Sequence, residues 1–371
     1  MLPISPTSLV PPPMKTSYRR ILAVIAAFVA GFGSLSVSGA ETPYRLLKEI
    51  PVGGDGGWDY LTVDAGIRRL YVSHGTKMVV IDIDKNEVVG EIADTPGVHG
   101  IAIAPELKRG FSSNGRENKA GIVDLDTLKT LSKVETGANP DGMLYEPGQQ
   151  EVYLFNGRGQ SATVIDAKAG TVVATIPLGG KPEFAVADPK AGRVYDNLED
   201  KSEVAVIDTK THAVVARWPI TPGEEASGMA IDLKNHRLFL GAGGTNLMVM
   251  MDSTSGKVVA TVPIGAGVDA NAFDAGTLLA FASCGGAGMV TIAKEETPDK
   301  LTVVQTLKTA RGSRTMTLDP QTHRIYLAAV TYEEAPAAKA PDASQPEQPR
   351  ARPARPKAVP GTFRILVYGM E

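Results

Sequence analysis

The sequence contains a single cysteine, Cys284, and two tryptophans. A chain with one thiol has no internal disulfide, so its stability must come from core burial. Also missing are a zinc-protease helix motif, a nucleophile elbow and the cysteine pair that attaches haem. The glycine clusters lack the strand-to-helix setting of a phosphate-binding loop. No complete catalytic set is therefore evident.

Residues 41–371 contain no long stretch with the 3.6-residue period of an amphipathic helix. Instead, a Val-Ile-Asp phrase or a close variant recurs. Its aspartates lie 42, 42, 42 and 44 residues apart, at Asp82, Asp124, Asp166, Asp208 and Asp252. A fixed period of about 40 residues is typical of propellers and similar arrays.

Each repeat contains four short, β-branched segments bounded by turn residues, and such segments are typical of strands. The second segment of the repeat occurs seven times, around Tyr71, Phe111, Tyr153, Tyr195, Phe239, Phe281 and Tyr326. We therefore predict an all-β fold, a single seven-bladed β-propeller over residues 41–371 with four antiparallel strands per blade. The last blade lacks a fourth strand, and we predict that residues 44–51 supply it and close the ring.

The first forty residues have the three parts of a secretory signal peptide. Lys15, Arg19 and Arg20 precede an apolar run at 21–30, and small residues end at Ala40. We expect cleavage after Ala40 and a periplasmic or secreted protein with no membrane span after signal removal. An uncleaved anchor is the alternative, and Met14 is an alternative start.

Removing residues 1–40 leaves 35 basic and 41 acidic side chains. This balance does not favour nucleic acid as a partner. We expect a monomer that binds a small molecule or a protein.

Residues 333–360 form a Pro- and Ala-rich segment within blade seven, with seven prolines and a basic end. Its composition predicts a disordered insertion. It is either inert or an arm that docks on a partner or an anionic surface.

Several stretches resemble a known repeat. Residues 153–156 followed by 163–166, together with 57–64 and 179–184, resemble the YVTN-type repeat of the YncE-like family of exported bacterial proteins. The resemblance implies a propeller fold. It says little about function, because related propellers serve as binding scaffolds, lactonases and redox-cofactor proteins. The Trp58-Asp59 pair resembles the WD dipeptide of WD40-like repeats, but it precedes a first strand, so we expect Trp58 to line the channel entrance instead.

Residues at the entry to each first strand should face the central channel. In blade order these are Asp59, His99, Asp141, Glu183, Ser227, Asp269 and Arg314. Clustered acids repel one another unless a cation, a base or shared protons offset their charge. Each acid either caps its own turn, pairs with Arg311, Arg314 or Lys181, or joins a ligand site. A mixed set such as His99, Asp141, Glu183 and Asp269 suits a divalent metal such as Ca²⁺, Mn²⁺ or Zn²⁺.

The loops between second and third strands should reach the same face. They add His74, Asn114 and Asn156 as ligand candidates, and His74 and His99 come from neighbouring blades. Cys284 in its glycine loop is either inert or a reactive thiol.

Three functions remain open at this point. The first is a non-catalytic exported propeller that binds a small ligand or protein through this channel face. The second is a metal- or cofactor-dependent enzyme, lactonase-like or redox-accessory, with its site at the channel mouth. The third is partner docking by the arm at 333–360.

Overall fold

Antiparallel sheets of four strands repeat along the computed structural model, which describes residues 43–333 and 357–370. Within each sheet, strands that are neighbours in sequence pair with one another, except that the N-terminal strand joins the last sheet. The strand β1 (Arg45–Pro51) precedes blade one. Blade one contains β2 (Leu61–Asp64), β3 (Arg69–His74), β4 (Lys77–Asp82) and β5 (Glu87–Ile92). Blade two contains β6 (Val98–Ala104), β7 (Arg109–Asn114), β8 (Lys119–Asp124) and β9 (Lys129–Glu135). Blade three contains β10 (Pro140–Glu146), β11 (Glu151–Asn156), β12 (Ser161–Asp166) and β13 (Thr171–Pro177).

The remaining blades repeat this pattern. Blade four contains β14 (Pro182–Asp188), β15 (Arg193–Leu198), β16 (Glu203–Asp208) and β17 (Ala213–Pro219). Blade five contains β18 (Ala226–Asp232), β19 (Arg237–Ala242), β20 (Leu247–Asp252) and β21 (Val258–Pro263). Blade six contains β22 (Val268–Asp274), β23 (Leu279–Cys284), β24 (Met289–Thr297) and β25 (Lys300–Lys308). Blade seven begins with β26 (Met316–Asp319) and β27 (Arg324–Ala329) and continues in β28 (Arg364–Gly369). Two single-turn 3₁₀ helices lie at Pro105–Leu107 and Glu199–Lys201.

The N-terminal strand completes the last blade, as predicted. β1 pairs antiparallel with β28, from Arg45 opposite Gly369 to Pro51 opposite Arg364. The sheet order of blade seven is therefore β1-β28-β27-β26. Since β2 also packs against both β6 and β26, the innermost strands form a closed ring around a central channel. The seven-bladed propeller is confirmed.

The core lies between the blades rather than in one central mass. Seven clusters of buried apolar side chains each join two neighbouring blades. The aromatic residue of every second strand is at most 1% exposed and belongs to one of these clusters: Tyr71, Phe111, Tyr153, Tyr195, Phe239, Phe281 and Tyr326. Burying a large aromatic side chain contributes about 2 to 3 kcal/mol. The recurring aromatic residue therefore holds the blades together.

The aspartate of the Val-Ile-Asp phrase shapes the turn that follows the third strand. Asp82 Oδ1 accepts the backbone N–H of Asp84 and Lys85, and Asp252 Oδ1 accepts those of Thr254 and Ser255. Although burial opposes ionisation, these hydrogen bonds lower the pKa of Asp252 to about 2. The repeated aspartate is therefore a structural residue.

The predicted insertion and signal peptide fall largely beyond the part of the chain that the structure describes. Residues 1–40 lie wholly outside it, and so do residues 334–356. The two ends of the insertion pair with each other: the Glu333 N–H donates to the Lys357 carbonyl and the Val359 N–H to the Thr331 carbonyl, each at 2.8 Å. No helix within residues 43–333 and 357–370 is long and apolar enough to cross a membrane.

A buried carboxyl between blades five and six predicts how stability depends on pH. Glu295 is 2% exposed and accepts a hydrogen bond from Asn235 Nδ2 at 3.2 Å. Burial, with the charge of Asp232, raises the pKa of Glu295 from 4.5 to about 7. The folded protein therefore keeps this proton at pH values where the unfolded chain has lost it. Stability from this group is complete below about pH 4.5 and declines as pH rises to about 7.

We expect Glu295→Gln to remove that decline. Relative to the parent, the variant should gain up to about 3 kcal/mol in free energy of unfolding between pH 4.5 and pH 8. Urea denaturation at both pH values measures the gain. The matched control is Glu296→Gln, which removes a carboxyl from the exposed neighbouring position. Equal pH dependence in parent and Glu295→Gln would contradict the prediction.

Candidate functional site

The entry residues reach the channel because the innermost strands are irregular where they begin. His99, Asp141, Glu183, Ser227 and Asp269 are each the second residue of their strand. In all five strands the register with the next strand shifts at this point. Bulges of this kind bend a strand and re-aim its side chains. Asp59 and Arg314 lie two residues before β2 and β26.

Three entry residues from successive blades meet around one atom. His99 Nδ1 lies 2.7 Å from Asp59 Oδ2 and 3.2 Å from Asp141 Oδ1. Ligand atoms of all three side chains lie within 4.8 Å of one another. Each side chain keeps between 18% and 25% of its surface exposed, so solvent reaches the cluster. We call Asp59, His99 and Asp141 the mouth triad.

One carboxylate of the triad shares its histidine donor with the other. Nδ1 carries at most one hydrogen, and the shorter contact shows that it points to Asp59. Within residues 43–333 and 357–370 we find no hydrogen-bond donor for the Asp141 carboxylate other than this same nitrogen. Burial raises the pKa of Asp141 to about 6, against the opposing charge of His99. Burial alone would lower the pKa of His99, but the Asp59 hydrogen bond and the Asp141 charge outweigh it and raise that pKa.

Two further entry acids have cationic partners, as the pairing alternative predicted. Glu183 Oε1 lies 2.5 Å from Lys181 Nζ, which also contacts Glu199. Burial raises the pKa of Glu183 to about 7 despite this lysine, and the charge of Asp141 adds to the rise. Asp269 Oδ2 lies 2.9 Å from Arg314 Nη1. These two acids therefore differ from the mouth triad, which has neither lysine nor arginine in contact among the described residues.

Two aromatic rings lie beneath the acids. The rings of Tyr60 and Phe184, from blades one and four, meet with centroids 4.6 Å apart. Burial raises the pKa of Tyr60 well above its usual value, and the charges of Asp141, Asp59, Glu183 and Asp269 add to this rise. The Tyr60 hydroxyl therefore lies within electrostatic range of these four acids. Gly100 allows the close approach of blade one, because a Cβ at Gly100 would lie 2.8 Å from Tyr60 Cβ.

A buried carboxyl extends the acidic region inward. Asp196, in the middle of β15, is 0% exposed, and neither of its oxygens has a hydrogen-bond partner. Burial raises its pKa well above the usual range, and the nearby charge of Glu183 adds to the rise. The environment of Asp196 therefore favours its protonated form.

The other predicted ligand residues are held within the scaffold. Trp58 Nε1 donates to the Arg314 carbonyl at 2.6 Å, and Ser227 Oγ donates to the Asp269 carbonyl at 3.3 Å. Both join neighbouring entry segments. Asn114 and Asn156 are 0% exposed and bind side chains of their own blades, Glu117 for Asn114 and Ser161 and Thr163 for Asn156.

The structure gives His74 and His99 different partners. The ring of His74 stacks on Phe363 at 4.3 Å, and its Nε2 lies 3.1 Å from the Gly53 carbonyl oxygen. Burial lowers the pKa of His74. Cys284 is buried as well, and burial raises the pKa of its thiol, which keeps it protonated.

The electrostatic balance of the mouth favours a cation. Among the described entry residues and their ion-pair partners, the acids are Asp59, Asp141, Glu183, Glu199 and Asp269, and the permanent cations are Lys181 and Arg314. Five acids against two cations leave an excess of three acids, of which a protonated His99 offsets one. Clefts lined by one sign of charge concentrate ions of the opposite sign.

Comparisons with known proteins add a distant structural likeness. No protein-family model matches the chain, and no curated protein matches it either. Among solved structures, a chain of the hydrazine synthase of Kuenenia stuttgartiensis is similar at 17% identity and a TM-score of 0.48, over 67% of this chain and 98% of that chain. A likeness at this level says nothing about function.

Proposed function

We propose that this chain is an exported propeller, of the kind found in the YncE-like family, that binds a small cationic ligand at its channel mouth. The observation that carries the proposal is the mouth triad, where two carboxylates share one histidine nitrogen and Asp141 has no other hydrogen-bond donor among the described residues. A bound cation would supply the missing charge. A protein partner would use the same mouth by inserting a lysine or arginine side chain.

The scaffold suits binding because the groups come from rigid strands. His99 and Asp141 project from β6 and β10, and Tyr60 fills the channel below them. Side chains held by strands lose little freedom when a ligand binds, which favours affinity.

We expect small cations, and not small anions, to stabilise the mature protein. Saturating Mn²⁺, Zn²⁺ or a short diamine should raise the Tm by about 5 °C, since binding at 100 times Kd contributes about 2.7 kcal/mol. Phosphate and acetate should leave it unchanged. The double variant Asp59→Asn with Asp141→Asn should lose the shift, whereas Glu91→Gln should keep it. Glu91 pairs with Lys77 in the outer part of blade one and serves as the control. Stabilisation by anions alone would reject the proposal.

A hydrolytic enzyme is the second candidate, and the contact of Asp59 with His99 Nδ1 favours it. A carboxylate that accepts the Nδ1 hydrogen fixes the imidazole tautomer and makes Nε2 the basic nitrogen of the ring. Turnover of a lactone or phosphate ester by the clean protein, lost in His99→Gln, would establish this candidate. If the protein turns over neither lactones nor phosphate esters, the enzyme candidate is rejected and the binding function remains.

Export is proposed from residues 1–40. Production of the full chain in a Gram-negative host should yield a periplasmic protein that begins at Glu41. A purified protein that retains residues 1–40 would contradict cleavage.

A further inference from the structure

We infer that the mouth triad is a three-ligand site for a divalent transition-metal ion, with its remaining coordination positions open to the channel mouth. The inference rests on the proposed function and names the class of cation. The three ligands are Asp59, His99 and Asp141. Glu183 and Asp269 are left outside the ligand set because each has a cationic partner.

The distances suit a common ion. Metal–nitrogen and metal–oxygen bonds of about 2.0 to 2.2 Å place neighbouring ligand atoms about 3.0 to 3.5 Å apart at angles of 90° to 109°. His99 Nδ1 and Asp141 Oδ1 are already 3.2 Å apart. The 2.7 Å separation of Nδ1 and Asp59 Oδ2 is that of a hydrogen bond. It needs to lengthen by a few tenths of an ångström, which a side-chain rotation provides, when an ion replaces the proton.

The donor set selects the metal class. One imidazole nitrogen with two carboxylates suits Mn²⁺, Fe²⁺ or Zn²⁺. Ca²⁺ prefers six to eight oxygen ligands, and the triad has only two carboxylates. Three protein ligands with open remaining positions are typical of sites that also bind a substrate or water.

A metal explains a feature that an internal ion pair leaves unexplained: two carboxylates converge on a nitrogen that can donate only one hydrogen. The packing of the ring supports this arrangement. His99 Nε2 faces Gly115, where a Cβ would lie 2.6 Å from it, so Nδ1 is the nitrogen that faces the two acids.

The test is calorimetric titration of the full mature chain, stripped with chelator, with Zn²⁺, Mn²⁺ and Ca²⁺. We expect one equivalent of Zn²⁺ or Mn²⁺ to bind, and Ca²⁺ to bind at least about 50-fold more weakly. Asp141→Asn should weaken Zn²⁺ binding by about 100-fold or more, since it removes a ligand directly. Glu183→Gln removes a carboxyl group that is not a ligand from the same mouth and should weaken binding by less than about fivefold. His99→Gln provides a second ligand variant, and the circular dichroism of each variant shows whether it folds.

The outcomes separate the inference from the proposed function. If short diamines stabilise the protein but neither Zn²⁺ nor Mn²⁺ binds, the metal site is refuted and the cationic ligand remains. Two other results would refute the metal site, because both indicate general attraction between charges. One is an equal loss of Zn²⁺ affinity in Asp141→Asn and Glu183→Gln, and the other is an affinity for Ca²⁺ equal to that for Zn²⁺ or Mn²⁺. If neither a metal ion nor a diamine binds, both the metal site and the proposed function are refuted.

Discussion

Deleting residues 41–51 is expected to prevent the mature chain from forming a stable closed propeller. Without β1, the outer edge of β28 loses its partner, and unpaired strand edges promote aggregation. The deletion also removes Ile50, which is 1% exposed. Tyr44 is lost as well: it stacks edge-on against Phe281 at 5.2 Å and donates its hydroxyl hydrogen to the His323 carbonyl.

The loss should exceed about 5 kcal/mol, because six residue pairings and two buried side chains disappear together. Size-exclusion chromatography and thermal denaturation measure it. Ile50→Ala keeps the strand and should cost only about 2 to 5 kcal/mol. A synthetic peptide of residues 41–51 should restore the monomer when added to the truncated chain. A truncated chain with the parent's Tm would show that β1 does not close the ring.

Replacing Gly142 with alanine is expected to disrupt the channel mouth from inside. A Cβ at Gly142 would lie 2.3 Å from the backbone oxygen of Glu183, and real Cβ atoms do not approach so closely. The added Cβ would clash with a backbone atom, which cannot move aside as a flexible side chain can. Blades three and four must therefore separate. We expect a loss of about 3 kcal/mol in free energy of unfolding and weaker cation binding.

Gly157→Ala is the matched control for Gly142→Ala. It lies in blade three, and its added Cβ would meet nothing closer than 3.6 Å. Its stability should stay within about 0.5 kcal/mol of the parent in urea denaturation. Equal stability of the two alanine variants would show that the blades do not make this close contact.

The fold could be predicted because a propeller repeats its own pattern. Each blade is specified by the same short signals, such as the second-strand aromatic residue and the aspartate at the end of the third strand. The same comparison found the strand β1, since the last repeat lacked a fourth segment. No such internal check exists for the residues 1–40 and 334–356, whose roles stay predictions.

The site could be predicted only as a set of positions. Aligning the blades located the entry residues, but spacing does not show which acid meets which cation. The predicted metal set contained Glu183 and Asp269, but the structure pairs Glu183 with Lys181 and Asp269 with Arg314. The acid that meets His99 and Asp141 is Asp59. The sequence also does not show the orientation of the His99 ring, which decides whether Nδ1 or Nε2 faces the acids.

Tyr60, Phe184 and Asp196 are the residues that sequence reasoning missed. A signal for the two aromatic rings exists in the next aligned position, which in blade order holds Tyr60, Gly100, Gly142, Phe184, Gly228, Ala270 and Thr315. Two large rings among small residues indicate a filled channel. Asp196 stands at a second-strand position where five of the other blades carry an apolar residue such as Val72 or Leu154 and blade two carries Ser112, so a single acid at this position was its signal.

The most direct measurement is an anomalous difference map from crystals of the mature protein grown with Mn²⁺. We predict a single strong peak in the channel mouth, about 2.0 to 2.3 Å from Asp59 Oδ2, Asp141 Oδ1 and His99 Nδ1. No peak at saturating Mn²⁺, or a peak only elsewhere on the surface, would contradict the assignment of the mouth triad as the metal site.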